Sequence, residues 1–452
     1  MEIKQFYDEA LAQASYAILS EKEMALVDPA RDPGPYFNFA AQKQASIIAV
    51  IETHPHADFV SSHHEISLKT GARVYSSRLT GADYPHTPFD SGDNIKIGKV
   101  KLLALNTPGH SPDSISMVVT DEQGRDHAVF TGDTLFIGDV GRPDLRENTG
   151  NLRARREELA RDMYRSTRNI LMKLEKDVVI YPAHGAGSLC GKALSKELTS
   201  TIGRQLAENY ALQEMTEDEF VKVLLADQPF IPKYFGFDVS LNKSGAGNLE
   251  EFLARVPRLS DPDRLEPGLT VVDTRPKKLF NEGHVPGAIH IIEDGKYETW
   301  LGSIINPGEY FYIIGENEIS LDRVIRRSAK IGYEKFIKGA WLNPPSGTEK
   351  TSAIDILDFR SNPGKYTMVD VRNESETQIN PVFNQAINIP LYELRDRAQE
   401  IPKDKPVVVY CAGGYRPAAA SSIIRNSLKG VRVYDLGEQI REFRSGVISS
   451  LE

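Results

Sequence analysis

Short apolar runs that break off into polar clusters set the rhythm of the first half of the chain. Residues 46–51 (Ser-Ile-Ile-Ala-Val-Ile) are apolar and rich in β-branched side chains, as a buried strand should be. They run straight into Glu52-Thr53-His54-Pro55-His56-Ala57-Asp58-Phe59-Val60-Ser61-Ser62-His63-His64. From Val60 the spacing becomes helical and stops at Gly71, which predicts strand, then polar cluster, then helix. Residues 16–19 and 24–27 predict two short strands, the second closed by Asp28-Pro29, in a meander-like opening. Residues 72–75, 99–105, 126–130 and 178–181 predict further strands, and residues 206–225 read as helical. Three of these strands also end on chemistry, at Thr107-Pro108-Gly109-His110-Ser111, at Thr131-Gly132-Asp133-Thr134-Leu135-Phe136 and at Pro182-Ala183-His184-Gly185.

The second half has a different rhythm. A Pro-bearing stretch, 228–235, closes the first region, and 242–248 (Asn-Lys-Ser-Gly-Ala-Gly-Asn) reads as a linker. Beyond it the pattern repeats: Thr270-Val271-Val272-Asp273-Thr274-Arg275 returns as Thr367-Met368-Val369-Asp370-Val371-Arg372, an offset of 97 positions at the Asp, and 288–291 returns as 386–389. Two tandem copies of one α/β unit account for this. The domains expected are therefore 1–245, 250–345 and 350–452. In the second copy a strand over 407–410 delivers Cys411-Ala412-Gly413-Gly414-Tyr415-Arg416, and Pro417 opens a helix. A thiol there faces backbone N–H groups and a helix N-terminus, which lower its pKa and suit an anionic sulfur species. In the first copy, alignment of 311–314 with 407–410 puts Gly315 where Cys411 stands, followed by Glu316-Asn317-Glu318. That copy has no nucleophile and is expected to be structural.

Composition narrows the partners. The chain has 452 residues, about three domains by length, with 40% hydrophobic and 26% charged residues, as in ordinary globular proteins. A net charge of −9 with no basic block argues against nucleic acid and against an anionic membrane surface. No apolar stretch approaches the roughly 18 residues of a membrane span, and residues 1–5 do not open a signal peptide, so a cytoplasmic setting is expected. Cys190 and Cys411 are the only cysteines, which excludes a disulfide framework. Cys190 lies six positions beyond His184; it is either a small buried hydrophobe or a thiol that handles sulfur near the histidines. His63, His64, His86 and His127 are assigned to surface or turn positions.

Histidines and carboxylates emitted at successive strand ends suit a divalent first-row metal. Two His and one carboxylate with open positions fit non-haem Fe(II) oxygenases, whereas three His and a water fit hydrolytic zinc. His54-x-His56-x-Asp58 with His110, Asp133 and His184 resembles the metallo-β-lactamase fold, an αββα sandwich with its site at one edge of two packed sheets. In its hydrolytic members, such as glyoxalase II, a second-site His follows that Asp; here the residue is Phe59, which favours a mononuclear site. Thr107-Pro108-Gly109-His110-Ser111, Gly132-Asp133-Thr134-Leu135-Phe136 and Gly138-Asp139-Val140-Gly141-Arg142-Pro143-Asp144-Leu145 further resemble persulfide dioxygenases. That resemblance implies one Fe(II) per chain held by His54, His110 and Asp133. It places His56, Asp58 and His184 beside the ligands or on the substrate side, and Arg142 near the active site, unless Arg142 forms a structural salt bridge.

The repeated units resemble rhodanese domains, small parallel-sheet modules that move sulfane sulfur. The loop Cys411-Ala412-Gly413-Gly414-Tyr415-Arg416 is similar to their active-site loop, which implies Cys411 as sulfur carrier and Arg416 as anion partner. Pro417 stands where Ser or Thr is commoner. Together the resemblances imply oxidation of a low-molecular-weight thiol persulfide by O2 to sulfite and thiol, coupled to sulfur transfer that makes or uses thiosulfate. The rivals are a metal-dependent thiolester hydrolase of the glyoxalase II kind and a non-catalytic sulfur carrier or persulfide sensor. A homo-oligomer stays open.

Overall fold

The structure, a computed structural model, describes residues 1–145, 156–260, 265–342, 349–413 and 416–444. The chain divides into two compact units. The first comprises Met1–Glu251 with Ala329–Gly332, and the second comprises Phe252–Ser328 with Tyr333–Glu452.

In the first unit, two six-stranded sheets face each other among the described residues. One runs Glu2–Asp8, Gln13–Ser20, Glu23–Val27, Ser46–Ile51, Arg73–Ser76, Thr87–Pro88; its first three strands form an antiparallel meander and the rest pair parallel. The other runs Ser200–Thr201, Val179–Pro182, Asp126–Gly132, Ile115–Thr120, Val100–Asn106, Asn94–Ile97. Side chains alternate along each strand, so one set meets the opposite sheet and the other meets helices. Tyr16, Ile18, Val27 and Ile51 pack between the sheets against Leu102, Met117, Val119 and Phe130. Leu19, Leu26 and Val50 point outward to Tyr36, Phe39 and Ile66, from helices Gly34–Lys43 and His63–Thr70. Val118, Val129 and Ile180 do the same toward Ala160, Met163 and Phe220, from helices Arg156–Asn169 and Glu217–Leu225. The result is an αββα sandwich. Covering both faces of each sheet explains why these strands read as continuous apolar runs.

The second unit holds two small α/β modules with all-parallel sheets. The strand orders are Ile289–His290, Thr270–Asp273, Phe311–Gly315, Ile337–Leu342 and then Ile387–Asn388, Thr367–Asp370, Val407–Tyr410, Val433–Asp435. The registers correspond: Asp273 lies opposite Ile314 as Asp370 lies opposite Tyr410, so Gly315 occupies the position of Cys411. Each Asp-x-Arg is a buried bidentate ion pair, Asp273 with Arg275 and Asp370 with Arg372.

Two sequence expectations need correction. Residues 206–225 are not one helix: a helix over Ile202–Glu208, a 3₁₀ turn over Tyr210–Leu212 and a helix over Glu217–Leu225 replace it. The Asn209 side chain caps the turn and the Thr216–Glu219 capping box starts the last helix, so each break has its own polar signal. The stretch 242–248 does not begin as linker, because Asn242 and Ser244 belong to helix Phe235–Ser244 and Asn242 is buried. No helix among the described residues is long and apolar enough to cross a membrane.

Candidate metal centre

Strand ends converge on one buried cluster at the edge of the sandwich. His54 follows Ser46–Ile51, His110 follows Val100–Asn106, Asp133 follows Asp126–Gly132 and His184 follows Val179–Pro182. Asp133 is the hub. One of its oxygens lies 3.8 Å from His54 Nε2 and 3.5 Å from His110 Nε2, and the other lies 3.5 Å from His184 Nε2.

The imidazoles are held by their other nitrogens. Thr53 Oγ1 donates to Asp28 Oδ2 at 2.9 Å, so its lone pair is left to accept from His54 Nδ1 at 3.0 Å. His110 Nδ1 donates to the Arg142 carbonyl at 2.9 Å and His184 Nδ1 to the Ala12 carbonyl at 3.2 Å. Anchoring Nδ1–H in this way turns Nε2 toward the hub as a ligand, the usual outer support of metal-binding histidines. Close approach requires small residues around the hub. A Cβ on Gly141 would stand 2.0 Å from the Asp133 carbonyl oxygen, and Gly132, at φ +50°, would meet Thr53 Oγ1 at 2.5 Å.

The donor set fits a divalent cation. Both Asp133 carboxylate oxygens are buried without a hydrogen-bond partner, a costly arrangement unless a cation shares the space. Donor atoms grouped within 4.8 Å of one another could hold such an ion. His54, His110 and Asp133 form one such trio, and His56, Asp133 and His184 form a second. The cavity also favours positive charge on electrostatic grounds. Burial disfavours a charged His184, yet Asp133 and Asp58 lift its pKa to about 10.

Phe59 packs against His56 and His184. Its ring centroid is 4.3 Å from that of His56. Asp58 Oδ2 lies 3.3 Å from His184 Nε2, and His56 Nε2 lies 3.2 Å from Asp28 Oδ1, so Asp28 serves both histidines of the motif. Cys190 joins Asp58 and His184 in a third trio. Burial, with the Asp58 and Asp133 carboxylates, pushes its thiol well above its ordinary pKa. The Arg142 side chain is committed elsewhere: it pairs with Asp144 at 2.6 and 2.7 Å and donates to the Leu189 carbonyl. Its backbone does the work at the site, accepting from His110 and donating to the Cys190 carbonyl at 2.8 Å. Asp139 ties the same two loops, accepting from Val140, Lys192 and Ala193 amides and from the Tyr210 hydroxyl.

His63 is a correction. It is fully buried at the start of its helix, 3.6 Å from Glu52, and burial lowers its pKa to about 3, so it is neutral packing and not surface. His64 and His86 are half-buried and His127 is exposed on a strand. The residue sequence reasoning missed is Asn242. Its amide donates to the His56 and Phe59 carbonyls, both at 2.8 Å, and accepts from the Ser61 amide at 2.8 Å. Its only sequence signal was a polar side chain among small residues. Asn242→Ala is expected to strand these groups at a cost of about 2–3 kcal/mol and to lower metal affinity about tenfold; thermal melts with and without metal would measure both.

In the second unit, Cys411 is buried at the end of Val407–Tyr410, with the Gly413 amide 3.4 Å from its sulfur. Ala412 is half-buried and Gly413 exposed, while Gly414 and Tyr415 lie outside the described residues. Arg416 begins helix Arg416–Ser427, with Pro417 one position further in, and its guanidinium binds the Glu376 carboxylate at 2.7 and 2.8 Å.

Residues 9–184 match the model of the metallo-beta-lactamase superfamily. A crystal structure of a metallo-beta-lactamase from Staphylococcus aureus subsp. aureus COL is 32% identical, with a TM-score of 0.67 over 76% of this chain and 99% of that one. The chain belongs to the metallo-beta-lactamase superfamily. Behind its metallo-beta-lactamase domain, residues 259–341 and 354–442 match the rhodanese-like domain. The metallo-beta-lactamase portion is also similar to two curated relatives. The cytoplasmic hydroxyacylglutathione hydrolase of Arabidopsis thaliana is 34% identical over 174 residues, 38% of this chain and 62% of that protein. The mitochondrial persulfide dioxygenase ETHE1 of Homo sapiens is 27% identical over 205 residues, 45% of this chain and 71% of that protein.

Proposed function

We propose that the chain oxidises a low-molecular-weight thiol persulfide with O2 and couples this to sulfur transfer at Cys411. The overall step is RSSH + O2 + H2O → RSH + HSO3⁻ + H⁺. The observation that carries the reading is the hub itself: Asp133 with His54 and His110 on one side, and Phe59 against His56 on the other. Two imidazoles and one carboxylate on one face are the ligand set of mononuclear Fe(II) oxygenases. When bound, iron would supply O2 activation and a Lewis-acid contact for sulfur. The phenyl ring adds no donor where a dinuclear hydrolase needs one, which disfavours the thiolester reading despite the similarity to a hydroxyacylglutathione hydrolase.

The protein's own groups then have distinct tasks. Asp28, through Thr53, and the Arg142 carbonyl fix the two ligand imidazoles. His184, Asp58 and His56 line the side on which substrate would lie, and Cys190, kept a neutral thiol by burial and by the Asp58 and Asp133 carboxylates, packs beside them. In the second unit, a persulfide on Cys411 would react with sulfite: Cys–S–S⁻ + SO3²⁻ → Cys–S⁻ + S2O3²⁻. The outer sulfur leaves with the new S–S bond and the electron pair of the broken bond returns to Cys411. Fusion of the two activities raises the effective concentration of the shared intermediate. Two free buried thiols also suit a reducing cytoplasm.

The test is O2 uptake by anaerobically prepared, Fe(II)-loaded protein given a persulfide, with metal content and sulfur products read on the same sample. Uptake yielding sulfite or thiosulfate at about one iron per chain is the expected result. Thiolester hydrolysis with zinc and no O2 uptake with iron would replace this reading by the hydrolase, and a site closed to O2 and to added ligands would favour a carrier or sensor.

A further inference from the structure

We infer that Lys330 is a positioning residue for the substrate side of the metal centre, holding the segment that presents His56 and Asp58 with its backbone and the turn that anchors His184 with its side chain. The inference rests on the reading of His56, Asp58 and His184 as the substrate side, and its test is chosen to separate the two.

Ala329–Gly332 belongs to the first unit although the chain on either side of it belongs to the second. Its approach is close. Gly332, at φ +68°, lies where a Cβ would stand 2.6 Å from Leu241 Cδ2 and 3.3 Å from Val60 Cγ2. Leu241 precedes Asn242, whose amide clamps the His56 and Phe59 carbonyls. The Val60 amide, one residue beyond Phe59, donates to the Lys330 carbonyl at 2.7 Å. Val60 is fully buried, so without that carbonyl its N–H would be shut away from water unpaired.

The side chain of the same residue reaches the other half of the site. Lys330 Nζ pairs with Asp8 Oδ2, at the end of strand Glu2–Asp8. Asp8 Oδ1 accepts from the Ala10 and Leu11 amides at 3.1 and 3.3 Å, so this carboxylate closes the turn into strand Gln13–Ser20. The turn ends on Ala12 at φ +52°, a conformation that a non-glycine residue keeps only where its surroundings fix it. The Ala12 carbonyl accepts from His184 Nδ1 at 3.2 Å and from the Gly185 amide at 3.0 Å. Lys330 therefore ties two segments that are far apart in sequence. Between them His184 Nε2 lies 3.3 Å from Asp58 Oδ2, so a shift of either segment changes the space beside the hub. His54 and His110 have separate supports, in Asp28 through Thr53 and in the Arg142 carbonyl. Lys330 is thus placed to tune what binds beside the metal more than the metal itself.

The experiment uses the full chain loaded with Co(II), as wild type, Lys330→Met, Lys330→Arg and Asp8→Asn. Met keeps the unbranched stem and the backbone carbonyl and removes the charge. Asp8→Asn keeps an acceptor for the Ala10 and Leu11 amides and breaks the pair from its other end, so the test stands even if Lys330→Met does not fold. Cobalt content is read beside the binding of 2-mercaptoethanol, followed by the sulfur-to-cobalt charge-transfer band. Lys330→Met and Asp8→Asn are each expected to weaken thiol binding about three- to fivefold, the range of a partly exposed ion pair, with cobalt content within about a fifth of wild type. Lys330→Arg should restore the affinity, and the double variant Asp8→Asn/Lys330→Met should be no weaker than either single one. In the Fe(II) protein the KM for a persulfide should rise by the same factor, with kcat less affected. Unchanged thiol affinity in the single variants, cobalt loss in step with the affinity, or a wild type whose cobalt binds no thiol would overturn the inference. Weakened thiol binding in a protein without O2 uptake would keep Lys330 as the positioning residue and discard the dioxygenase reading.

Discussion

Asp133→Asn is expected to abolish metal binding while leaving the fold intact, with metal content falling below about a tenth of the wild-type value and O2 uptake falling at least about a thousandfold. The reason lies in what converges on this side chain. Three imidazole nitrogens approach it within 3.5–3.8 Å, and neither carboxylate oxygen has a hydrogen-bond partner. An amide keeps the shape and removes the charge that a divalent cation requires. It also removes a buried anion, so the metal-free Asp133→Asn variant should melt no lower than metal-free wild type. Metal analysis beside melting curves of both metal-free proteins checks the two halves separately. A variant that retains stoichiometric metal would show that Asp133 is not the hub of the site.

Cys411→Ser should reduce sulfur transfer by about a thousandfold or more, because an alcohol neither forms a persulfide nor ionises near neutral pH. No other thiol in the second unit could substitute. The chain has two cysteines, the other is Cys190 in the first unit, and the twin module has Gly315 at the equivalent register. Thiosulfate:acceptor turnover measures the loss directly, and O2 uptake with an added small-molecule persulfide is the informative second reading. Uptake within about twofold of wild type would mean that the first unit takes its substrate from solution; a parallel fall would mean that Cys411 delivers it.

The sequence was most readable where one side chain's role depends on its local strand. A β-branched run that stops abruptly at a His or Asp places that side chain at a strand end, and His54, His110, Asp133 and His184 all meet as that pattern implied. The repeat could be read for the same reason: Asp273 and Asp370 close equivalent strands, and the alignment that put Gly315 in the place of Cys411 agrees with the registers. What stayed hidden depends on partners distant in the chain. Asn242 lies 186 residues from His56, whose carbonyl it holds, and nothing local distinguishes it from a linker asparagine. Arg416 matched a loop motif, but its engagement with Glu376 requires a helix 40 residues away. His63 shared a polar stretch with surface residues, and only tertiary packing shows that it is buried. Helix ends were misjudged where short-range caps at Asn209 and Thr216 outweighed the helical spacing of residues 206–225.

The matched registers of the two modules bear on how such a chain can change over evolutionary time. A duplicated domain that has lost its reactive residue is ordinarily free to drift, since its failure harms nothing. Here the copy with Gly315 in place of the thiol meets its sibling through His290 and Gly287, on helix Arg416–Ser427, and through Lys277, which pairs with Asp435. A substitution at these contacts in the Gly315 copy would then loosen the copy that carries Cys411. Exchange of either module alone would remove these cross-module contacts unless the newcomer carried matching residues.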